Sequence, residues 1–253
     1  MLVLTACVEQ MFIFFPTRYP MGHWQPQGLQ FEDVWFETED GVRLHAWYIP
    51  AAEDSEVLIF AHGNAGNLSD RLALVQTLHN DLGLSVLIFD YRGYGRSEGS
   101  PSVQGILKDA KAARKWLTAR VQRKPEDIIL MGRSLGASVA VHMAAESGAR
   151  ALILESAFSS FKDVADRVYP WLPARFLLRN DIQADVLIRD YHGPLFQSHG
   201  MADSMISINL GRKIYEAAHE PKEFIALPGL DHNDPPPPDY YDKLDSFIKN
   251  LAK

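Results

Sequence analysis

The chain has 253 residues, 47% hydrophobic and 23% charged, a balance that folds around a sizeable core without metals or disulfides. Its formal charge is −7 and it carries no basic run, which disfavours nucleic acid, because phosphate contact needs clustered cations. A single cysteine, Cys7, excludes an intrachain disulfide, and the missing G-x-G-x-x-G, Walker A and H-E-x-x-H patterns leave no cofactor and no metal expected.

Met1 to Ala6 is apolar and runs into Leu4-Thr5-Ala6-Cys7, similar to the end of a bacterial lipoprotein signal with Cys7 as the acylated residue. The run is shorter than a signal core and has no basic residues before it. This leaves two expectations: membrane association through the N-terminus in a bacterial cell envelope, or a cytoplasmic chain whose residues 1–15 form an apolar arm packed on the domain. No stretch reaches the roughly 20 apolar residues that span a bilayer.

Phe31 to Glu37 and Val42 to Ile49 alternate in the manner of half-buried strands, joined at Glu39-Asp40-Gly41. Short, uniformly apolar runs come next: Val57–Phe60, Leu84–Phe89, Ile128–Met131, Ala151–Leu154, Leu195-Phe196 and Phe224–Leu227. Uniform apolarity means burial on both faces, as in parallel strands covered by helices. Between them, Leu68, Leu72, Val75, Leu78 and Leu82 form a helical stripe with Asn67 as N-cap. Val103, Ile106, Leu107, Ala110 and Leu117 form another, capped by Ser102. Tyr241, Leu244, Ile248 and Leu251 mark a last helix after Pro235–Pro238. This alternation gives one doubly wound α/β domain over residues 1–253, with its site in the loops at the carboxyl ends of the strands. The segment at about 156–192 breaks the rhythm. Its apolar cluster, including Tyr169, Trp171 and Phe176, reads as a small lid lining a substrate pocket, or else as a surface insertion.

G-x-S-x-G occurs twice, around Ser97 and around Ser134. A nucleophile elbow needs a strand running into the serine and a helix leaving at once. Ile128–Met131 enters Ser134 and Leu135–Val141 leaves it, whereas Gly99-Ser100-Pro101 after Ser97 cannot begin a helix directly. Ser134 is therefore the candidate nucleophile and Ser97 a turn residue. A serine hydroxyl needs a base, normally a histidine held by a carboxylate, in the chain order Ser, acid, His. Of the histidines after Ser134, His142 and His219 belong to helices, His192 precedes a strand, and His199 occupies the place of an acid. His232, in Pro228–Asn233 after the last strand, is the candidate base. Asp203 comes after the strand ending Ser198-His199-Gly200 and is the candidate acid; the alternatives are that it caps the helix before Ser207, or that Asp231, a rival by proximity, takes the role. The oxyanion donors expected are the main-chain N–H groups of Leu135 and of Asn64, in the glycine-bearing loop His62–Asn67.

With these residues in order, the chain resembles the ABHD-type serine hydrolases. The motifs are His62-Gly63-Asn64-Ala65-Gly66-Asn67, Asp90 to Ser97, Gly132-Arg133-Ser134-Leu135-Gly136 and His232-Asn233-Asp234. It is most similar to the membrane-anchored and bacterial envelope members, some of which are depalmitoylating thioesterases. The resemblance covers about Phe14 to the C-terminus. It implies an α/β-hydrolase fold with a mostly parallel eight-stranded sheet whose second strand is antiparallel. It also implies a Ser134–Asp203–His232 triad and Asn64 and Leu135 as oxyanion positions. Asp231 departs from the family pattern, where a smaller residue is commoner, and is placed to move the pH optimum.

The activity expected is hydrolysis of short to medium acyl esters through an acyl-enzyme, with a small-molecule or lipid-like ester or thioester as the partner. An acyl-protein thioesterase, a serine peptidase and a catalytically silent hydrolase fold used for binding are the alternatives.

Overall fold

The computed structural model describes residues 13–168 and 180–251. Cys7 and the pocket candidates Tyr169, Trp171 and Phe176 lie outside them. Eight strands make a mostly parallel sheet, and the chain divides into two compact units, Met1–Ile129 and Leu130–Lys253.

The first unit holds β1 (Glu32–Glu37), β2 (Arg43–Ile49), β3 (Val57–Ala61) and β4 (Ser85–Phe89), in the sheet order β3-β4-β2-β1. β2 runs antiparallel to both neighbours, Tyr48 facing Glu32 on β1 and Ala46 facing Phe89 on β4, while β3 and β4 are parallel. The antiparallel second strand thus stands where the resemblance put it. β1 keeps the alternating exposure expected of it, but β2 is buried at every position after Arg43. Aromatic cover is the reason. Trp35 and Trp24 lie 4.8 and 5.7 Å from the His45 ring, and Phe31 packs 4.5 Å from Trp47, so even the polar position is shielded from water.

The stripe from Leu68 begins as expected. Asn67 accepts from the Ser69 N–H at 3.0 Å and Asp70 returns a carboxylate to the Asn67 N–H at 2.9 Å, a reciprocal capping box. Beyond the cap the segment is not one regular helix. A 3₁₀ turn (Leu68–Arg71) leads into α1 (Leu72–Gln76) and then a π turn (Thr77–Asp81). α2 (Val103–Val121) starts at Ser102, whose hydroxyl accepts from the Gly105 N–H at 3.1 Å, and stops where Gln122 turns left-handed at φ +53°. Upstream, Phe15–Pro16 pairs in parallel with Ala65–Gly66, laying the start of the described chain against the His62–Asn67 loop.

Ser97 is the turn residue expected. Its hydroxyl donates to the Asp90 carbonyl at 2.8 Å and accepts from the His45 N–H at 2.9 Å, all within the interior. Removing that bridge leaves two buried main-chain groups unpaired, at a cost of about 1–3 kcal/mol. Ser97→Ala should therefore unfold at lower denaturant while keeping whatever turnover the wild type has. A variant that keeps its stability but loses turnover would reverse the choice between the two G-x-S-x-G motifs.

The second unit holds β5 (Ile129–Arg133, entering from the boundary), β6 (Ala151–Glu155), β7 (Leu195–Gly200) and β8 (Lys222–Leu227), ordered β5-β6-β7-β8. β6 and β7 are parallel, as are β7 and β8. β6 and β7 are buried along their whole length, while β8 is largely half-exposed. The helices are α3 (Leu135–Ser147), α4 (Phe161–Val168), α5 (Ala184–Leu187), α6 (Ile208–Ala217) and α7 (Pro238–Lys249). In the segment read as a lid, Ile182, Ala184, Ile188 and Tyr191 are buried, and the Ala184 N–H reaches the Ser159 carbonyl at 2.7 Å. α7 buries Tyr240, Leu244 and Ile248, so its inward aromatic is Tyr240 and not Tyr241. The Tyr240 hydroxyl explains the difference, because it donates to the buried Glu155 carboxylate at 2.6 Å.

Candidate functional site

β5 delivers its last residues into a turn with almost no room. A Cβ on Gly132 would lie 2.1 Å from the Gly136 carbonyl oxygen and 2.6 Å from the Ala137 nitrogen, both main chain. Strand and helix can come this close only over a residue without a side chain. Ser134, at φ +54° and ψ −116°, occupies backbone space that side-chain-bearing residues avoid. Its N–H is held by the Glu155 carbonyl at 2.9 Å, and its own carbonyl accepts from Ala137 at 3.0 Å, so the strained turn is fixed on both sides. α3 begins at Leu135, whose N–H is one of the unpaired donors at a helix start.

At the end of β7 the chain turns through Asp203. One carboxylate oxygen accepts from the Met205 and Ile206 N–H groups at 3.0 and 2.7 Å. The other faces His232 Nδ1 at 2.8 Å and His199 Nε2 at 3.2 Å. Burial works against the charge on Asp203, but the hydrogen bonds from His199, His232 and the Ile206 amide outweigh it and hold the carboxyl well below the usual range. That direction fixes the sign. A depressed folded-state value contributes stability that is complete above the ordinary aspartate value near about 4 and is lost as pH falls towards the folded value. Any acid loss of turnover at about pH 5–6 should therefore belong to a group other than Asp203, and a pH–rate profile beside a pH–stability profile checks it.

His232 closes the line. Its Nε2 stands 3.2 Å from the Ser134 hydroxyl, and its main-chain carbonyl accepts from the Arg133 guanidinium at 2.8 Å. The loops carrying acid and histidine are fastened together. The Ala202 N–H donates to the Leu230 carbonyl at 3.0 Å, and Gly200 approaches that carbonyl so closely that a Cβ would lie 2.4 Å away. Asp231 does not face the imidazole. Its carboxylate accepts from the Ser204 N–H at 2.7 Å, from the Ser204 hydroxyl at 2.9 Å and from the His232 N–H at 2.7 Å. These bonds hold the Asp231 carboxyl below the usual range, the Ser204 amide leading. Asp231 is thus a clamp between two loops. Asp231→Ala should lower kcat several-fold by loosening the Asp203–His232 pairing, and its pH–rate profile tests whether the carboxylate also acts electrostatically.

The structure brings Ser134, Asp203, His232 and Leu135 together within the second unit. Asn64 lies in the first, where its side chain is engaged at both ends. Its Oδ1 accepts from the Phe15 N–H at 3.1 Å and the Tyr94 hydroxyl at 2.9 Å, and its Nδ2 donates to the Ile13 carbonyl. The oxyanion donor expected from the sequence is its main-chain N–H, not this side chain. The residue that sequence reasoning sets aside is His199. It lies inside β7, as that strand's expected end at Gly200 implies, and its ring reaches Asp203 four residues on.

A family model described as serine aminopeptidase, S33 matches residues 52–190. A protein of Mycobacterium tuberculosis is 38% identical over 247 residues, covering 97% of this chain and 88% of its own. The α/β-hydrolase domain-containing protein WAV2 of Arabidopsis thaliana is 34% identical over 227 residues, covering 81% of this chain and 73% of its own. The chain belongs to the α/β-hydrolase superfamily. Among solved structures, the Pyrococcus furiosus esterase Pf2001 superposes with a TM-score of 0.77 at 23% identity, covering 96% of this hydrolase and 99% of that chain. The likeness is one of fold, and the eight-stranded, mostly parallel sheet of this hydrolase fits it.

Proposed function

We propose that this α/β hydrolase is a serine esterase that cleaves carboxylic esters of short to medium acyl chains through an acyl-enzyme. The observation carrying the reading is the continuous line from the Ser134 hydroxyl through His232 to the saturated Asp203 carboxylate, at 3.2 and 2.8 Å, with the serine on a strained elbow. In the proposed reaction His232 takes the Ser134 proton as the oxygen attacks the ester carbonyl. Asp203 accepts from Nδ1, which fixes the tautomer and stabilises the imidazolium. The main-chain N–H groups of Leu135 and Asn64 receive the oxyanion, each worth on the order of 3 kcal/mol in the transition state. His232 then protonates the leaving alcohol, and water repeats the sequence to release the acid.

Intact mass after exposure to a fluorophosphonate, with p-nitrophenyl butyrate turnover alongside, tests the assignment. One adduct on the wild type that vanishes with turnover in Ser134→Ala is the expected result. A folded wild type that neither labels nor turns over would sink it in favour of a silent binding fold. The description of the matching family model favours aminopeptidase activity as the second reading. Thioesters and peptide amides offered beside matched esters rank it against the ester reading and against a thioesterase.

A further inference from the structure

Asp203 serves two histidines, and only one of them faces Ser134. The His199 ring is buried, with its Nε2 3.0 Å from the Ile206 carbonyl and 3.2 Å from the same Asp203 oxygen that pairs with His232. Both neighbours of Nε2 are acceptors, so the proton of a neutral ring sits on Nε2. Nδ1 has no hydrogen-bond partner among the described residues. It is pressed against α6 instead, where a Cβ on Gly211 would lie 2.7 Å from it. A proton on Nδ1 would have no acceptor among the described residues, so the geometry places the ring proton on Nε2.

From this geometry we infer that His199 is a positioning residue for the triad, an imidazole whose Nε2–H holds Asp203 in line and shares the oxygen that His232 uses. The inference rests on the serine-hydrolase reading. Two amides fix one oxygen of the carboxylate and two imidazoles fix the other, so rotation of Asp203 breaks several bonds at once. Sharing also has a chemical effect. An oxygen that already accepts from His199 is a weaker acceptor for His232, so removing the His199 donor strengthens the Asp203–His232 bond. The other titratable groups around His232 are Arg133 from β5, Glu155 from β6, and Asp231 and Asp234 from its own loop. From α7, Tyr240 is bonded to Glu155. None of these donates a hydrogen bond to the Asp203 carboxylate among the described residues.

Three variants and one spectrum test it. His199→Phe keeps the ring and removes the donor, His199→Asn keeps polarity but is too short to reach Asp203, and His199→Gln restores an N–H at the reach of Nε2. The Phe and Asn variants should lose three- to tenfold in kcat with KM little changed. The acid limb of their pH–rate profiles should move up by roughly half to one unit, because the freed oxygen binds the imidazolium more strongly. The Gln variant should return both towards the wild type. Variants that melt earlier but keep the acid limb in place, or a Gln variant no better than Asn, would show a role in packing alone. Imidazole ¹⁵N NMR of the intact wild type decides the point even if a variant fails to fold. A ring carrying its proton on Nε2 supports the assignment, and an Nδ1–H tautomer overturns it. Fluorophosphonate labelling of the wild type keeps the two questions apart, since a chain that does not label loses the hydrolase reading while the spectrum still reports on His199.

Discussion

A Ser134→Gly variant should be more stable than the wild type and turn over no ester. Ser134 holds φ +54° and ψ −116°, and a side-chain-bearing residue in such space carries about 1–3 kcal/mol of strain. Glycine adopts it freely, at an entropic cost of up to about 1 kcal/mol in the unfolded chain. The balance leaves roughly 1 kcal/mol in favour of the variant, or a Tm rise of about 2–4 °C for a chain of this size. In the proposed mechanism, removing the nucleophile lowers kcat on the order of 10⁶-fold, so gain and loss arise from one substitution. Calorimetry and ester turnover on the same preparation check both. A variant that melts lower would mean the elbow is not strained. Near-normal turnover would remove Ser134 from the mechanism.

Gly132→Ala should be among the most damaging single changes in the second unit. The added carbon would lie 2.1 Å from the Gly136 oxygen, 2.4 Å from its carbonyl carbon and 2.6 Å from the Ala137 nitrogen. All three are main-chain atoms, so no rotamer change relieves the clash, and α3 must shift away from β5. A loss above about 4 kcal/mol is expected, which places the variant at or beyond the edge of folding. Gly83 supplies the contrast. A Cβ there meets nothing within 4 Å, and only its φ of +70° opposes a side chain. Gly83→Ala should cost about 1 kcal/mol, and denaturant midpoints for the two variants separate crowding from backbone preference. Equal midpoints would refute the close approach.

The strands covered on both faces are legible because burial leaves a plain mark, a run such as Ile128–Met131 or Ala151–Leu154 with no polar interruption. β2 misleads because Arg43 and His45 alternate with apolar residues, and the sequence does not say that Trp24 and Trp35 roof the histidine. The stripe from Leu68 to Leu82 fixes which face is buried, yet its spacing tolerates 3₁₀ and π turns as well as an α-helix. In the site, chain order and local context single out Ser134, Asp203 and His232, and a sequence carries both. His199 escapes because the apolar run of its strand stops at Phe196. With the strand continued to Gly200, the four-residue spacing to Asp203 puts both side chains at one strand end. Proximity in sequence sets Asp231 against the ring beside it, whereas its partner, Ser204, comes from a different loop 27 residues away. Contacts of that kind depend on tertiary closure and leave no periodic trace.

The bond between Ser134 and His232 joins positions 98 residues apart. At a synthesis rate of about 5–20 residues per second, the serine is made roughly 5–20 s before the histidine. Through that interval the nascent chain carries the elbow sequence but no base, and Asp203 arrives between them still without its partner. In the proposed mechanism the growing polypeptide is therefore chemically inert towards the acyl esters around it. Competence waits for the histidine.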